Sequence, residues 1–388
     1  MNKLFPTQEI GSIAKPNWRV LGNRGAPVPD QDFNEAKYWG KKLRIDDYER
    51  LLALLKSGDS ADTREAIREW SAIYAIRLQE VPGLDIVFDG EQWRTEMYEA
   101  LVRDVGGFRF VGHVRSWDNK YYRKAAVFDE IRWKKPIYLN EFLFTRKHTD
   151  RMVKVPFTGP YTVTDWSFNE FYQERLKNLH TDPLELKKKA YSDLLSDVSR
   201  KLIRPEIESL VAAGARWIQI DEPALSTQPG KDQVVNFVDA VNEATKGFDC
   251  KFSLHVCYST DYSTLFPELL EAKTLSQYAL EFANKDDMRR GDSKRTGYDV
   301  LKLLKEYGAD RQVGLGVIDV HDDRVESPAL VRDRILHGAK MIGDPSLIYV
   351  NPDCGIRTRT WKTTYAKFSS MVKGAVLARE DAGDTSIS

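Results

Sequence analysis

The chain has 388 residues, 42% of them hydrophobic, which is enough to bury a large core. Lys+Arg and Asp+Glu both total 58, so no net charge draws it toward nucleic acid or an anionic membrane. Three cysteines build no disulfide framework, the opening MNKLFPTQEIGS lacks the apolar core of a signal peptide, and no apolar run approaches the roughly 18 residues of a membrane span; a cytoplasmic protein is expected.

Short β-rich runs recur along the chain, and most gaps between them carry amphipathic helical sequence. Eight runs are expected as strands: 7–10, 84–88, 153–157, 217–220, 252–256, 278–281, 313–317 and 347–350. The stretch 184–212 is the clearest helix, with Leu194, Leu195, Val198, Leu202, Ile203 and Ile207 at helical spacing. Helices are also expected over 301–307 and 330–342. Alternating strands and helices indicate α/β with a parallel sheet, and eight of them a (β/α)8 TIM barrel. The gap after the second run is too long for one helix. Its aromatic, alternating sequence reads as a β-hairpin excursion at about 107–137. Residues 15–47, with Pro16, Pro27 and Pro29, read as an irregular N-terminal arm, and 376–388 as a frayed tail. No linker or repeat divides the chain, so 1–388 is expected to be a single catalytic domain.

The chemistry collects where these runs stop. In order the ends read IGS, DGE, TGP, DEP, HVC, EFA, DVH and DCG. Barrel enzymes build their sites at the C-terminal ends of several strands. His255 and Cys257 are two residues apart, so in an extended chain both side chains face the same way. Glu281 ends the neighbouring run and Cys354 the last one. His, Cys, Glu and Cys make a soft set suited to one Zn2+ per chain. The competing reading is that the cysteines are small core hydrophobes; it suits Cys250 better than the two at the polar rim. Two thiolates and a carboxylate would outweigh the metal's charge. Such a centre keeps a bound thiol electron-rich, which implies alkyl transfer to sulfur.

In combination, FDGEQWRTEMYE (88–99), TGPYTVTDWSF (158–168), IQIDEPA (218–224), HVCYS (255–259), GVIDVH (316–321) and VNPDCGIRTRTW (350–361) resemble the catalytic half of cobalamin-independent methionine synthases. The chain looks like their short core form. The resemblance implies a (β/α)8 barrel and zinc-dependent methyl transfer to L-homocysteine, with His255, Cys257, Glu281 and Cys354 as ligands. It implies that Glu91 and Asp221 hold the substrate ammonium and that Ile10 and Ser12 meet its carboxylate. Trp166 would lie against the methyl donor, and His321 and Asp319 would manage a proton on it. Asp322 and Asp323, directly after His321, would favour its charged form if they lie close. The core-form likeness implies a protein without the front barrel of the long form, so a methylated corrinoid, as methylcobalamin or on a partner protein, is expected as donor, with methyltetrahydrofolate as the alternative. The long form usually has a hydroxyl residue near the position of Ala283. A different thiol acceptor, or a non-catalytic zinc-binding docking protein, are the other readings; Asp221 and Glu91 argue against an acceptor lacking an ammonium.

Overall fold

The computed structural model describes residues 3–115, 121–179, 182–227, 229–259, 261–291, 294–307 and 310–383. Its strands are β1 (Ile86–Val87), β2 (Gly106–Arg115), β3 (Tyr121–Arg132), β4 (Met152–Val153), β5 (Val155–Thr158), β6 (Phe168–Asn169), β7 (Trp217–Asp221), β8 (Lys251–Val256), β9 (Leu275–Leu280), β10 (Gln312–Ile318) and β11 (Ile348–Pro352). Strands β5, β7, β8, β9, β10 and β11 form one parallel sheet in that order, and β1 pairs with β4 in parallel. Thr7 bridges to Val350 of β11 and Gln8 to Ile86 of β1. Only Lys154 separates β4 from β5, so the pairings run round a circuit of eight strand positions. Each coincides with one of the eight expected runs. Most of these runs are buried on both faces because helices cover the outside while the interior fills with side chains. The α/β barrel architecture expected from the sequence is therefore present.

The interior filling is unusually polar for such a barrel. Gln8 Nε2 donates to Gln277 Oε1 at 3.1 Å, and Lys154 Nζ donates to Gln8 Oε1 at 2.9 Å and the Glu9 carbonyl at 2.7 Å. Burial pushes the Lys154 ammonium down to about 7.

The expected excursion is the antiparallel pair β2–β3, with β6 added beside β3. Residues 116–120, between the two strands, lie outside the described residues. Residues 15–47 are more regular than expected: helices span Asn17–Gly22 and Asp30–Lys42. Pro16 and Pro29 are their N-caps, where a missing N–H removes no intrahelical bond, so these prolines start helices rather than prevent them. The expected frayed tail is corrected over 376–381, because the last helix runs Trp361–Asp381. Ala375 and Ala378 are fully buried, and Arg379 donates to the carbonyls of Leu4 (2.7 Å) and Phe5 (2.9 Å), which ties the helix to the N-terminal segment. Residues 384–388 of that tail are outside the described set. The 184–212 helix carries a π-helical turn, Ser199–Ile203, just before Pro205, whose missing N–H interrupts the regular ladder.

A buried ionic network fixes the loops after β9 and β10. Asp286 sits between Arg295 (2.6 Å) and Arg334 (2.8 Å), and Arg334 also donates to the Val317 carbonyl at 2.8 Å. Glu326 pairs with Lys367 at 3.0 Å and accepts from the Asp319 backbone N–H at 2.8 Å. Lys367 and Glu326 are almost fully buried, so removing one partner leaves the other charge uncompensated. Lys367→Met is expected to destabilise the protein by about 3 kcal/mol or more. The midpoint of guanidinium unfolding checks this; an unchanged midpoint would mean that the pair is not formed in solution.

Candidate metal centre and amino-acid pocket

One ligand atom each from His255, Cys257 and Cys354 lies within 4.8 Å of the other two. His255 is buried at the end of β8. Its Nδ1 lies 3.1 Å from the Ala279 carbonyl, which can only accept, so Nδ1 carries the hydrogen and Nε2 presents a lone pair. That Nε2 is buried and makes no hydrogen bond. Burial holds the imidazole down to about 4, the neutral form a metal requires. The hydrogen bond with Cys354, followed by burial, pushes the Cys257 thiol up. A bound cation reverses that preference by stabilising the thiolate.

Glu281 stands beside this trio rather than inside its compact set. Its Oε2 accepts from the Tyr258 N–H at 2.8 Å and Asn284 Nδ2 at 3.1 Å. Its Oε1 is buried, makes no hydrogen bond, and lies 3.5 Å from His321 Nε2. A buried imidazole nitrogen that makes no hydrogen bond, next to two thiols and with a carboxylate beside them, fits a cation. Glu281 first, then Asp319 and Asp353, raise the His321 pKa against the effect of burial. The adjacent aspartates expected to do this are engaged elsewhere: Asp322 with Arg324 at 2.6 Å and Asp323 with Arg359 at 3.0 Å. Asp319 accepts from the His321 backbone N–H at 2.8 Å and so shapes the turn that carries the imidazole.

The loops that hold these groups are built closely. Asp353, next to Cys354, accepts from three successive backbone N–H groups: Phe282 (2.8 Å), Ala283 (2.9 Å) and Asn284 (2.6 Å). It thereby clamps the segment directly after Glu281. A Cβ on Gly316 would lie 2.1 Å from Asp353 Oδ1, so the GVIDVH glycine makes room for that clamp. A Cβ on Gly11 would lie 2.9 Å from the Gly355 Cα, and one on Gly355 would lie 2.5 Å from the Ser12 nitrogen. The first and last strand ends therefore touch through bare backbone. Glu91 and Tyr258 have φ of 57° and 59°, a left-handed conformation costly for non-glycine residues and characteristic of functional loops.

A cavity of about 360 Å³ opens above the trio and is lined by Ser12, Glu91, Trp166, Asp221, His255, Cys257 and Cys354, among others. Asp221 and His255 are register partners on β7 and β8, so their side chains stand side by side at one level. Burial, then the nearby Glu91, push Asp221 well above the usual carboxylate range. Gln219 donates to Asp221 Oδ1 and to the Ile10 carbonyl, both at 2.6 Å. Ile10 itself is fully buried and off the cavity wall; its carbonyl is committed to Gln219. Trp166 is on the wall and stacks on Tyr122 of the hairpin, 4.8 Å away and inclined by 22°. Glu222 accepts from the Tyr161 (2.9 Å) and Thr162 (2.6 Å) N–H groups and orders the helix that leads into Trp166. Lys15, Glu96, Tyr122 and Arg357 also line the cavity and were not singled out in the sequence. Gln219 carried a legible signal, since it lies two residues before Asp221 on the same strand face.

Residues 46–376 match the family model described as "Cobalamin-independent synthase, Catalytic domain". The chain belongs to the cobalamin-independent methionine synthase family. Among its relatives, the methionine synthase of Pyrococcus horikoshii is 35% identical, with 97% of this chain and 94% of that protein aligned. That of Thermoplasma acidophilum is 36% identical, over 94% and 96%. Among solved structures, a B12-independent methionine synthase from Shewanella sp. W3-18-1, in complex with selenomethionine, superposes with a TM-score of 0.71 at 20% identity, covering 98% of this chain and 99% of that one. A methyltransferase from Methanosarcina mazei has a TM-score of 0.56 at 14% identity, over 99% and 95%. These last two likenesses speak for the fold. Among the described residues, no helix is long and apolar enough to cross a membrane.

Proposed function

We propose that the chain methylates the thiol of L-homocysteine to give L-methionine, in the cavity above His255, Cys257 and Cys354. Family membership makes it an enzyme, a methyltransferase of the methionine synthase type. One observation carries the finer reading: a soft ligand trio and a carboxylate pair meet in a single cavity, with Asp221 and His255 at the same level of neighbouring strands. Homocysteine carries an ammonium at one end and a thiol at the other. Glu91 and Asp221 suit the first, and the trio suits the second. An acceptor thiol without an ammonium would bring no cation to the two carboxylates.

His255, Cys257 and Cys354, with Glu281 beside them, would hold one zinc ion. Zinc supplies a centre that takes up the incoming thiol as thiolate, and two cysteine thiolates keep that sulfur nucleophilic. Glu91 and Asp221 fix the amino-acid end and therefore the direction in which the sulfur points. Gln219 holds Asp221 in place from below. Trp166 and Tyr122 wall the cavity and limit water at the reacting sulfur. His321, held by the Asp319 turn and facing Glu281, is placed to give or take a proton at the outer side of the centre.

The family description, cobalamin-independent, favours a folate-type donor over the corrinoid preferred from the sequence. Turnover of homocysteine by zinc-loaded protein with methyltetrahydrofolate is therefore expected to exceed turnover with methylcobalamin. Methionine quantified with each donor in turn checks this. Turnover with methylcobalamin alone would restore the corrinoid as donor. Under a folate donor His321→Asn should reduce kcat, because a pterin nitrogen must be protonated as it leaves; under a corrinoid donor the loss should be small.

A further inference from the structure

The cavity that faces Glu91 and Asp221 on one side also carries two cations, Lys15 and Arg357. Among the described residues, the side chain of neither forms a hydrogen bond or an ion pair. Arg19, the other cation that acts on Lys15, is engaged: it donates to the Gln92 carbonyl. Lys15 and Arg357 come from opposite ends of the chain. They share a wall because the Gly11–Ser12 and Gly355 backbones are in direct contact, too close for a Cβ on either glycine.

We infer that Lys15 and Arg357 form a carboxylate-binding subsite at the edge of the amino-acid pocket. Burial pushes the Lys15 ammonium down to about 8, with Glu91 the foremost charge opposing that shift. Once a substrate ammonium occupies Glu91, Lys15 loses part of that support, and an incoming carboxylate restores it. Arg357 adds a planar donor fork suited to the two oxygens of one carboxylate. Two acids facing two bases make the pocket complementary to a zwitterion, or to an amino acid beside an anionic donor. The carboxylate has two sources, homocysteine itself or the glutamyl group of a folate-type donor. This subsite rests on the homocysteine reading of the cavity, so its test is equilibrium binding rather than turnover.

The measurement is calorimetric titration of zinc-loaded wild type, Lys15→Met, Arg357→Met and the double variant. The ligands are L-homocysteine against aminopropanethiol, its counterpart without the carboxylate, and methyltetrahydrofolate against a methylated tetrahydropterin lacking the aminobenzoylglutamate. The double variant is expected to lose about tenfold or more in affinity for one carboxylate-bearing ligand, and less than about twofold for its counterpart. The pair that shows this difference identifies the source. Lys15→Arg keeps the charge and should retain most of the affinity, and Arg357→Lys, which keeps the charge without the fork, should lose less than Arg357→Met; this separates charge recognition from a loss of fold. Equal losses for both members of each pair, or no loss in either, would overturn the subsite. Wild type that binds aminopropanethiol as tightly as homocysteine, with no folate difference, would overturn the subsite yet keep the Glu91–Asp221 reading. Wild type that binds neither thiol nor folate would overturn both.

Discussion

Cys354→Ser and His255→Ala are each expected to lose most of the bound zinc and with it methionine formation, whereas Cys250→Ser should keep both. Structural zinc sites are worth roughly 10–16 kcal/mol, so one of about four ligands accounts for about 2.5–4 kcal/mol. That corresponds to a fall in metal affinity on the order of a hundred- to a thousandfold. Cys250 is the internal control. It precedes β8, about 16 Å along the strand from His255, and burial pushes its thiol up to about 12. Metal content after dialysis against a weak chelator, measured by plasma mass spectrometry, decides the matter. Zinc lost with Cys250 and kept without Cys354 would displace the ligand set.

Asp221→Asn and Glu91→Gln should each weaken homocysteine binding by about 1.5–3 kcal/mol, the scale of a hydrogen bond to a charged group, while zinc stays bound. Both carboxylates serve one ammonium, so the double variant should lose less than the sum of the two. The loss should nearly vanish for mercaptobutanoate, which has the thiol and carboxylate but no ammonium. Isothermal titration with both acceptors checks this. Equal losses for the two would mean that these carboxylates shape the cavity without reading the ammonium.

Most strands were legible because they are buried on both faces and so read as short β-rich runs, and the barrel follows from counting them, although the first run, TQEI, carries little apolar signal. The His255–Cys257 spacing and the rim position of Cys354 were legible for the same reason, since strand ends can be located from sequence. What was hidden depends on how loops turn after the strands end. Asp322 and Asp323 follow His321 directly, yet they face Arg324 and Arg359, and the carboxylate beside the imidazole is Glu281, from another strand. Asp353 reads as one letter of a motif, while its role is to cap three N–H groups beyond Glu281. Lys15 and Arg357 gave no local signal, because only the Gly11–Gly355 contact brings them to one wall. Prolines in 15–47 misled because proline is equally at home before a helix and in irregular chain.

The central claim is that homocysteine sulfur reaches a zinc ion held by His255, Cys257 and Cys354, with Glu281, the one oxygen ligand of the set expected from the sequence and the hardest beside two thiolates, giving way to it. Zinc K-edge X-ray absorption of the loaded protein, before and after saturating L-homocysteine, tests it most directly. The expected result is replacement of one oxygen or nitrogen scatterer by one sulfur, at about 2.3 Å. A spectrum unchanged at saturating substrate would contradict it.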